Sequence, residues 1–334
     1  MDNKYNVVDD YKYDFMKEYE KKNKRNSERT LDFPPNDNLT FTENCRGVRD
    51  ELKFSCVEKQ PADYSFNDRV KNYVQTYNPT LYILTPCYGG LCHLRYMICL
   101  IATITLFERF CIPLKIEFCG NDSLVTRARN NLLAKAMSNT VTSHVIFIDC
   151  DIIWEPSDIL KLLISEKQVI GGIYPLKKYQ WEKMEDQFVQ SMKMRKDKSI
   201  LKTVISTEDM IRCNMVNYNV NYLDKTLHIR ENLAKVKHIA SGFMMIQREV
   251  IESMYTAYPS TKYVDDVGYL KGDENNYAYA LFDCGVEEGH YFSEDWFFCH
   301  RWSKLNGDVY MDITINLSHI GPEEFKGSYI SSLV

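Results

Sequence analysis

Asp149 and Asp151 stand one residue apart, directly after the apolar run Val145-Ile146-Phe147-Ile148. A short run of that kind, bounded by turn-forming residues, reads as a buried strand. The two carboxylates are then expected where the strand leaves a sheet, at the carboxyl edge where open α/β sheets bind their ligands. A carboxylate pair at such an edge suits a divalent cation that also grips substrate phosphates, and Mg²⁺ and Mn²⁺ both favour oxygen ligands. The competing role is helix capping ahead of Pro156. A second acidic pair, Glu294-Asp295, follows Ser293 at the start of a helical stretch. Asp295 shares a stripe with Phe298 and Trp302, at spacings of three and seven, which turns it inward and makes it the candidate general base. Glu294 serves equally well as the acid that complements a helix N-terminus.

Other residues suit the handling of a charged, hydroxyl-rich ligand. Arg127, near a helix start, shares a face with Asn130 and Asn131, and its planar guanidinium could meet a base or a phosphate. The alternative is a solvated helix face with Asp122 as counter-charge. Ser241-Gly242 lies within an apolar run, where a residue without a Cβ lets backbone approach a bound sugar or else forms a bulge. Tyr174 and Trp181 could stack on a ligand ring.

These residues need a scaffold, and the chain supplies one from Thr80 onward. Leu81 to Leu84 reads as a buried strand closed by Thr85-Pro86-Cys87-Tyr88-Gly89-Gly90. Helical stretches at 95–109 and 124–137 alternate with strands at Leu114 to Phe118 and Val145 to Ile148. A further helix opens at Pro156, with Asp158 in its first turn. Alternation of this kind predicts an α/β fold with a mainly parallel central sheet and helices on both faces. Later signals are a strand over 239–247, a helix over 248–255, a helix over 293–305 with Ser293 as N-cap, and a strand over 312–317 with His319 in the turn behind it. The stretch 177–237 is polar and methionine-rich, with room for a β-hairpin or a flap.

The division is an N-terminal extension, 1–76, and a main domain, 77–334. Half of the first thirty residues are charged, with Val8, Tyr11, Phe15 and Tyr19 at helical spacing among them. From Pro34-Pro35 to about Tyr77 the extension shows no clear period. The 334 residues are 45% hydrophobic and 26% charged, enough for a sizeable core. The net charge of −5 offers no field for a polyanion, so nucleic acid is not the expected partner. Eleven cysteines without regular spacing fit buried free thiols better than a zinc or disulfide framework, which points to a reducing compartment. No apolar stretch reaches the ~18 residues of a membrane span, and Met1 to Asp10 has no signal-like core, so the expected location is cytoplasmic.

Taken in order, several blocks resemble GT-A type glycosyltransferases encoded by bacteriophages and large DNA viruses. They are Asp122-Ser123-Leu124-Val125-Thr126-Arg127-Ala128-Arg129-Asn130, the strand ending in Asp149-Cys150-Asp151, Gly171-Gly172-Ile173-Tyr174-Pro175-Leu176-Lys177, Ser241-Gly242-Phe243, the run from Ser293 to Trp302, and His319-Ile320-Gly321-Pro322. They span about residues 80–329, and the resemblance implies a single Rossmann-like GT-A domain there. The resemblance implies a sugar transferred from a nucleotide diphosphate donor, commonly a UDP-sugar, to a glycan or protein acceptor that no residue identifies, in host cytoplasm or virion. It implies Mn²⁺ (or Mg²⁺) held by Asp149, Asp151 and a late histidine, His319, with imidazole favouring Mn²⁺. By the same resemblance Thr85, Pro86 and Tyr88 cradle base and ribose with Asp122, Arg127 and Asp149. Ser241, Gly242 and Tyr174 meet the donor sugar, and Asp295 or Glu294 activates the acceptor in a reaction expected to invert, with retention left open. A homo-oligomer stays open. A nucleotidyltransferase on a related sheet would want a basic Gly-rich loop after the first strand, and Thr85 to Gly90 carries no basic residue. A non-catalytic carbohydrate-binding or assembly protein would have no need of Asp149, Asp151 and Asp295.

Overall fold

The computed structural model describes residues 40–41, 52–53, 65–183 and 207–332. The amphipathic spacing from Val8 to Tyr19 and the middle of the polar stretch, 184–206, lie outside the described residues. Thr40–Phe41 and Leu52–Lys53 form a short antiparallel pair. The remainder builds around α1 (Phe66–Tyr77), β1 (Leu81–Cys87), α2 (Leu94–Arg109), β2 (Leu114–Gly120), α3 (Val125–Ser138), β3 (His144–Ile148), β4 (Ile152–Ile153), α4 (Pro156–Ile164) and β5 (Val169–Gly172). Then come β6 (Pro175–Tyr179), α5 (Thr207–Asn214), β7 (Val216–Tyr218), β8 (Val220–Asn221), β9 (Ile229–Arg230), β10 (Leu233–Val236), β11 (His238–Ile239), β12 (Phe243–Gln247) and α6 (Arg248–Ala257). The chain closes with β13 (Gly285–Glu287), β14 (His290–Phe292), α7 (Glu294–Lys304), β15 (Val309–Asp312), β16 (Ser318–Ile320), β17 (Glu324–Lys326) and α8 (Tyr329–Ser332).

The central sheet has eight strands in the order β9-β10-β15-β5-β12-β3-β1-β2. The pairings β1–β2, β1–β3 and β5–β15 are parallel. Strand β12 runs antiparallel between β3 and β5, and β10 antiparallel between β9 and β15. The sheet is therefore mainly parallel in strand direction, with β12 and β10 reversed. Strand β3 shows why its sequence is an unbroken apolar run. Val145 and Phe147 enter one core cluster with Leu132, Leu133 and Phe298, while Ile146 and Ile148 enter another with Tyr96, Trp154 and Leu160. A strand covered on both faces has no solvent side and cannot alternate.

Four expectations need correction. Helix α1 lies inside the stretch assigned to the extension, yet Val70 and Tyr73 are buried with Leu81, Phe107 and Ile112. Ser65 caps it by accepting the Asp68 amide. The strand expected over 239–247 is two, β11 and β12, separated by Ala240-Ser241-Gly242. The strand expected over 312–317 ends at Asp312, because that carboxylate accepts the Thr314 amide and hydroxyl at 2.8 and 2.7 Å and bends the chain. His319 lies in β16, not in a turn, paired between Ile152 of β4 and Phe325 of β17. Among the described residues no helix is long and apolar enough to cross a membrane.

Candidate functional site

Strands β1, β2 and β3 run parallel, so the segments leaving them (Cys87 to Gly90, Gly120 to Asp122, Asp149 to Asp151) emerge along one sheet edge. Asp149 is set by backbone first: its amide donates to Gly242 O at 3.0 Å. A Cβ on Gly242 would lie 2.6 Å from the Tyr174 hydroxyl and 2.7 Å from Asp149 Oδ2. The close approach that Gly242 permits is thus made by the chain's own side chains. Ser241 beside it is buried.

The Asp149 carboxylate meets a buried guanidinium. Arg129 Nη2 lies 2.9 Å from Asp149 Oδ1 and 3.1 Å from Oδ2, and Arg129 Nε lies 3.4 Å from Glu294 Oε1. The Oδ1 contact is a charge contact only, for that oxygen is buried without an aligned hydrogen bond. Burial acts against the charge of Arg129, but Asp149, Glu294 and Tyr174 outweigh it and hold the guanidinium protonated. The guanidinium carbon lies over the Phe147 ring, 5.5 Å from its centroid.

Asp151 sits 2.5 Å from Lys177 Nζ, and its Oδ2 is 3.5 Å from His319 Nε2. Burial works against its ionised form, yet the hydrogen bonds and charge of His319 and Lys177 bring the pKa down to about 2. His319 Nδ1 lies 2.8 Å from Pro175 O. A carbonyl only accepts, so Nδ1 carries a proton toward Pro175, and Nε2 faces Asp151, to which it donates when the ring is protonated. That is the arrangement by which a backbone carbonyl orients a ligating imidazole. Asp151 and His319 thus face each other while the Asp149 carboxylate is turned to Arg129, and among the described residues no three His, Cys, Asp or Glu side chains are gathered closely enough to hold a metal ion as they stand. Neither aspartate caps α4, whose capping box is Glu155 with Asp158.

The other residues divide. Tyr174 is buried, meets the His319 ring edge-on at 5.1 Å and hydrogen-bonds with the Gly242 backbone, so it offers no open face for stacking. Burial, with Asp149, pushes its hydroxyl well above the ordinary tyrosine range. Trp181 is exposed. Asp295 is buried on α7, its Oδ1 accepting from the Ser293 hydroxyl and from the Trp296 amide at 2.8 Å. Burial and Glu294 raise its pKa. Ser293 therefore spends its hydroxyl on Asp295 and makes no side-chain cap. Glu294, read as the dipole-complementing acid, is the one that reaches Arg129.

Asp122 and Arg127 form a two-pronged pair at 2.8 and 2.9 Å, and Asp122 Oδ1 also accepts the Leu124 amide. Burial alone would raise the Asp122 pKa; Arg127 and the Leu124 amide bring it below the ordinary value. The counter-charge role is thus the one these two residues fill. Asn130 and Asn131 are buried rather than solvated, Asn130 clamping the Phe282 backbone through both ends of its amide. Thr85 is buried with its hydroxyl on that of Tyr96, Pro86 is half-buried, and Tyr88 is exposed.

Sequence reasoning gave no role to Arg129 or Lys177. Arg129 precedes Leu132 and Leu133 by three and four residues, which places it on the core face of α3. An arginine there demands a buried anion, and that signal was available. The thiols of Cys87 and Cys92, 3.2 Å apart beside Cys150, had none, because the turn joining them has no periodic signature.

Neither a family model nor a curated protein matches the sequence. Among solved structures the chain is similar to one described as the crystal structure of A197 from STIV, at 14% identity and a TM-score of 0.38, covering 73% of this chain and 86% of that one.

Proposed function

We propose that this chain is a metal-dependent glycosyltransferase of the GT-A type, taking a sugar from a nucleotide diphosphate donor, a UDP-sugar by preference, and inverting the anomeric centre. One observation carries the reading: Asp149 and Asp151 leave β3 at the carboxyl edge of the sheet, and His319, from the distant strand β16, meets Asp151 there with Nε2 turned to it by the Pro175 carbonyl. Those three residues would hold Mn²⁺, which when bound offsets the charge gathering on the departing nucleoside diphosphate.

The chain's own groups do the rest. Arg129 fixes Asp149 and Glu294 in one orientation, and Lys177 keeps Asp151 ionised. Asp295 is the base: Oδ1 is engaged by Ser293 and Trp296, so the acceptor's proton goes to Oδ2. Its raised pKa suits proton acceptance better than an ordinary aspartate's does. Cysteines that stand free, among them Cys119 and Cys299 in the core, suit work in the reducing cytoplasm.

The test is hydrolysis of UDP-sugars by the full chain, with Mn²⁺ and with chelator, in wild type and in Asp295→Asn and Glu294→Gln. Turnover is expected only with the cation, and Asp295→Asn is expected to lower it by roughly 10²–10⁴ while leaving donor affinity within a few-fold. Undiminished turnover in chelator, or in Asp295→Asn, overturns the reading.

A further inference from the structure

Strand β1 ends on Cys87, and the next residues reverse the chain. Gly89 and Gly90 both take φ of 68°, in the left-handed region that a residue with a Cβ enters at a cost. The reversal returns Cys92 to its starting point, with Cys92 Sγ 3.2 Å from Cys87 Sγ. The Cys87 thiol also donates a hydrogen bond to Cys150, between the two aspartates. Cys87 is buried, whereas Cys92 is half-buried and open to solvent in part. The pair is also joined to both neighbouring strand ends, since Asn121 N donates to Cys87 O and His93 N donates to Cys150 O, each at 3.2 Å.

We infer that Cys87 and Cys92 are a reversible oxidation site, closed to a disulfide by a low-molecular-weight disulfide such as oxidised glutathione, and that closing it stiffens the loop over the carboxylate edge. The exchange balances without another reagent. The Cys92 thiolate attacks one sulfur of the oxidant, forming a mixed disulfide and releasing one thiol. Cys87, already in sulfur contact, attacks the Cys92 sulfur and releases the second. Two protein thiols have then given up two protons and two electrons to one S–S bond, and the oxidant has become two thiols. Contact shortens from 3.2 Å to a bond of about 2.05 Å. Reduced glutathione reverses both steps.

Closing the bond ties Leu91 and His93 to the end of β1. His93 N holds the Cys150 carbonyl, so the segment bearing Asp149 and Asp151 loses freedom with it. That consequence for donor binding rests on the function proposed above; the disulfide itself does not.

The test is native full-length protein incubated with an excess of oxidised glutathione, then alkylated, digested and mapped. A peptide linking Cys87 to Cys92 is expected in wild type and in Cys150→Ser, absent from Cys92→Ser, and lost on adding reduced glutathione. Thiols that both stay alkylatable, or a predominant bond from Cys87 to Cys150, overturn the assignment. Mn²⁺-dependent UDP binding is then compared between the mapped oxidised and reduced forms. At least a threefold change supports the coupling, and equal affinities in a protein shown to carry the bond overturn the coupling alone. Binding in neither form counts against the donor reading instead, a failure separate from that of the thiol site.

Discussion

Arg129 joins the two halves of the candidate site, and its energetics follow from burial. The guanidinium is about as deeply buried as any charge in the described residues, at 4% side-chain exposure, and it is shared by Asp149 and Glu294. Such a bridge adds little over a well-packed apolar core, but breaking it from one side leaves uncompensated charge. Arg129→Met keeps the length of the side chain and removes the charge, so Asp149 and Glu294 face each other without a counter-ion. Unfolding in urea is expected to lose about 3–5 kcal/mol of stability. Adding Glu294→Gln to that variant should recover part of the loss, because one of the two stranded carboxylates is then neutral. A single variant as stable as wild type would show that water solvates the pair. The acidic residues at the strand end and helix start were legible because each follows a local pattern. Their partners were not: Arg129 stands 20 residues from Asp149 and Lys177 stands 26 from Asp151, and no periodicity spans such distances.

At the scale of elements, legibility tracked burial on both faces. Strands β1, β2 and β3 and helices α3, α6 and α7 fall within a few residues of where the apolar runs and caps put them. Strands β10, β11 and β15 and the half-polar α1 did not announce themselves. In α1 only Val70 and Tyr73 are buried, among charged neighbours, too sparse a stripe to stand out from the polar stretch before it. Yet that stripe closes the core over Leu81 and Ile112, and the Tyr73 hydroxyl lies 3.5 Å from the buried His144 ring at the start of β3. A chain beginning at Asn78 should therefore fold poorly. Two side chains at about 1.5–3 kcal/mol each put the loss near 3–6 kcal/mol. A chain beginning at Ser65 keeps the helix and its N-cap, itself worth about 1 kcal/mol, and should match the full chain over the described core. Urea melts of the two truncations measure the difference, and equal midpoints would mean that α1 only rests on the surface.

Across the described residues one sheet separates two core clusters, with Asp149 and Asp151 following one of its strands and His319 on the small sheet of β17, β16 and β4. Asp149 follows β3, His319 lies in β16 beyond β15, and Gly242 leads into β12, so three strands of different sequence position must be in register for the site to exist. A ligand that needs the assembled edge binds the folded state and not the unfolded chain, and stabilises the whole by mass action. The donor set predicts more than additivity: Asp149 and Asp151 repel a diphosphate unless a cation lies between them, and a lone cation finds Lys177 and Arg129 already on the oxygens. UDP alone and Mn²⁺ alone should each move the melting temperature little. Together, at about a hundredfold excess over Kd, they should add roughly 2.7 kcal/mol, which for a domain of this size is about 5–10 °C. Asp151→Ala should abolish the joint shift while leaving the unliganded melt near that of wild type, since its partner Lys177 is half-exposed and keeps its hydration. If UDP shifts the melt equally with Mn²⁺ and with chelator, the nucleotide is held by some other part of the edge and Asp151 does not ligate a metal.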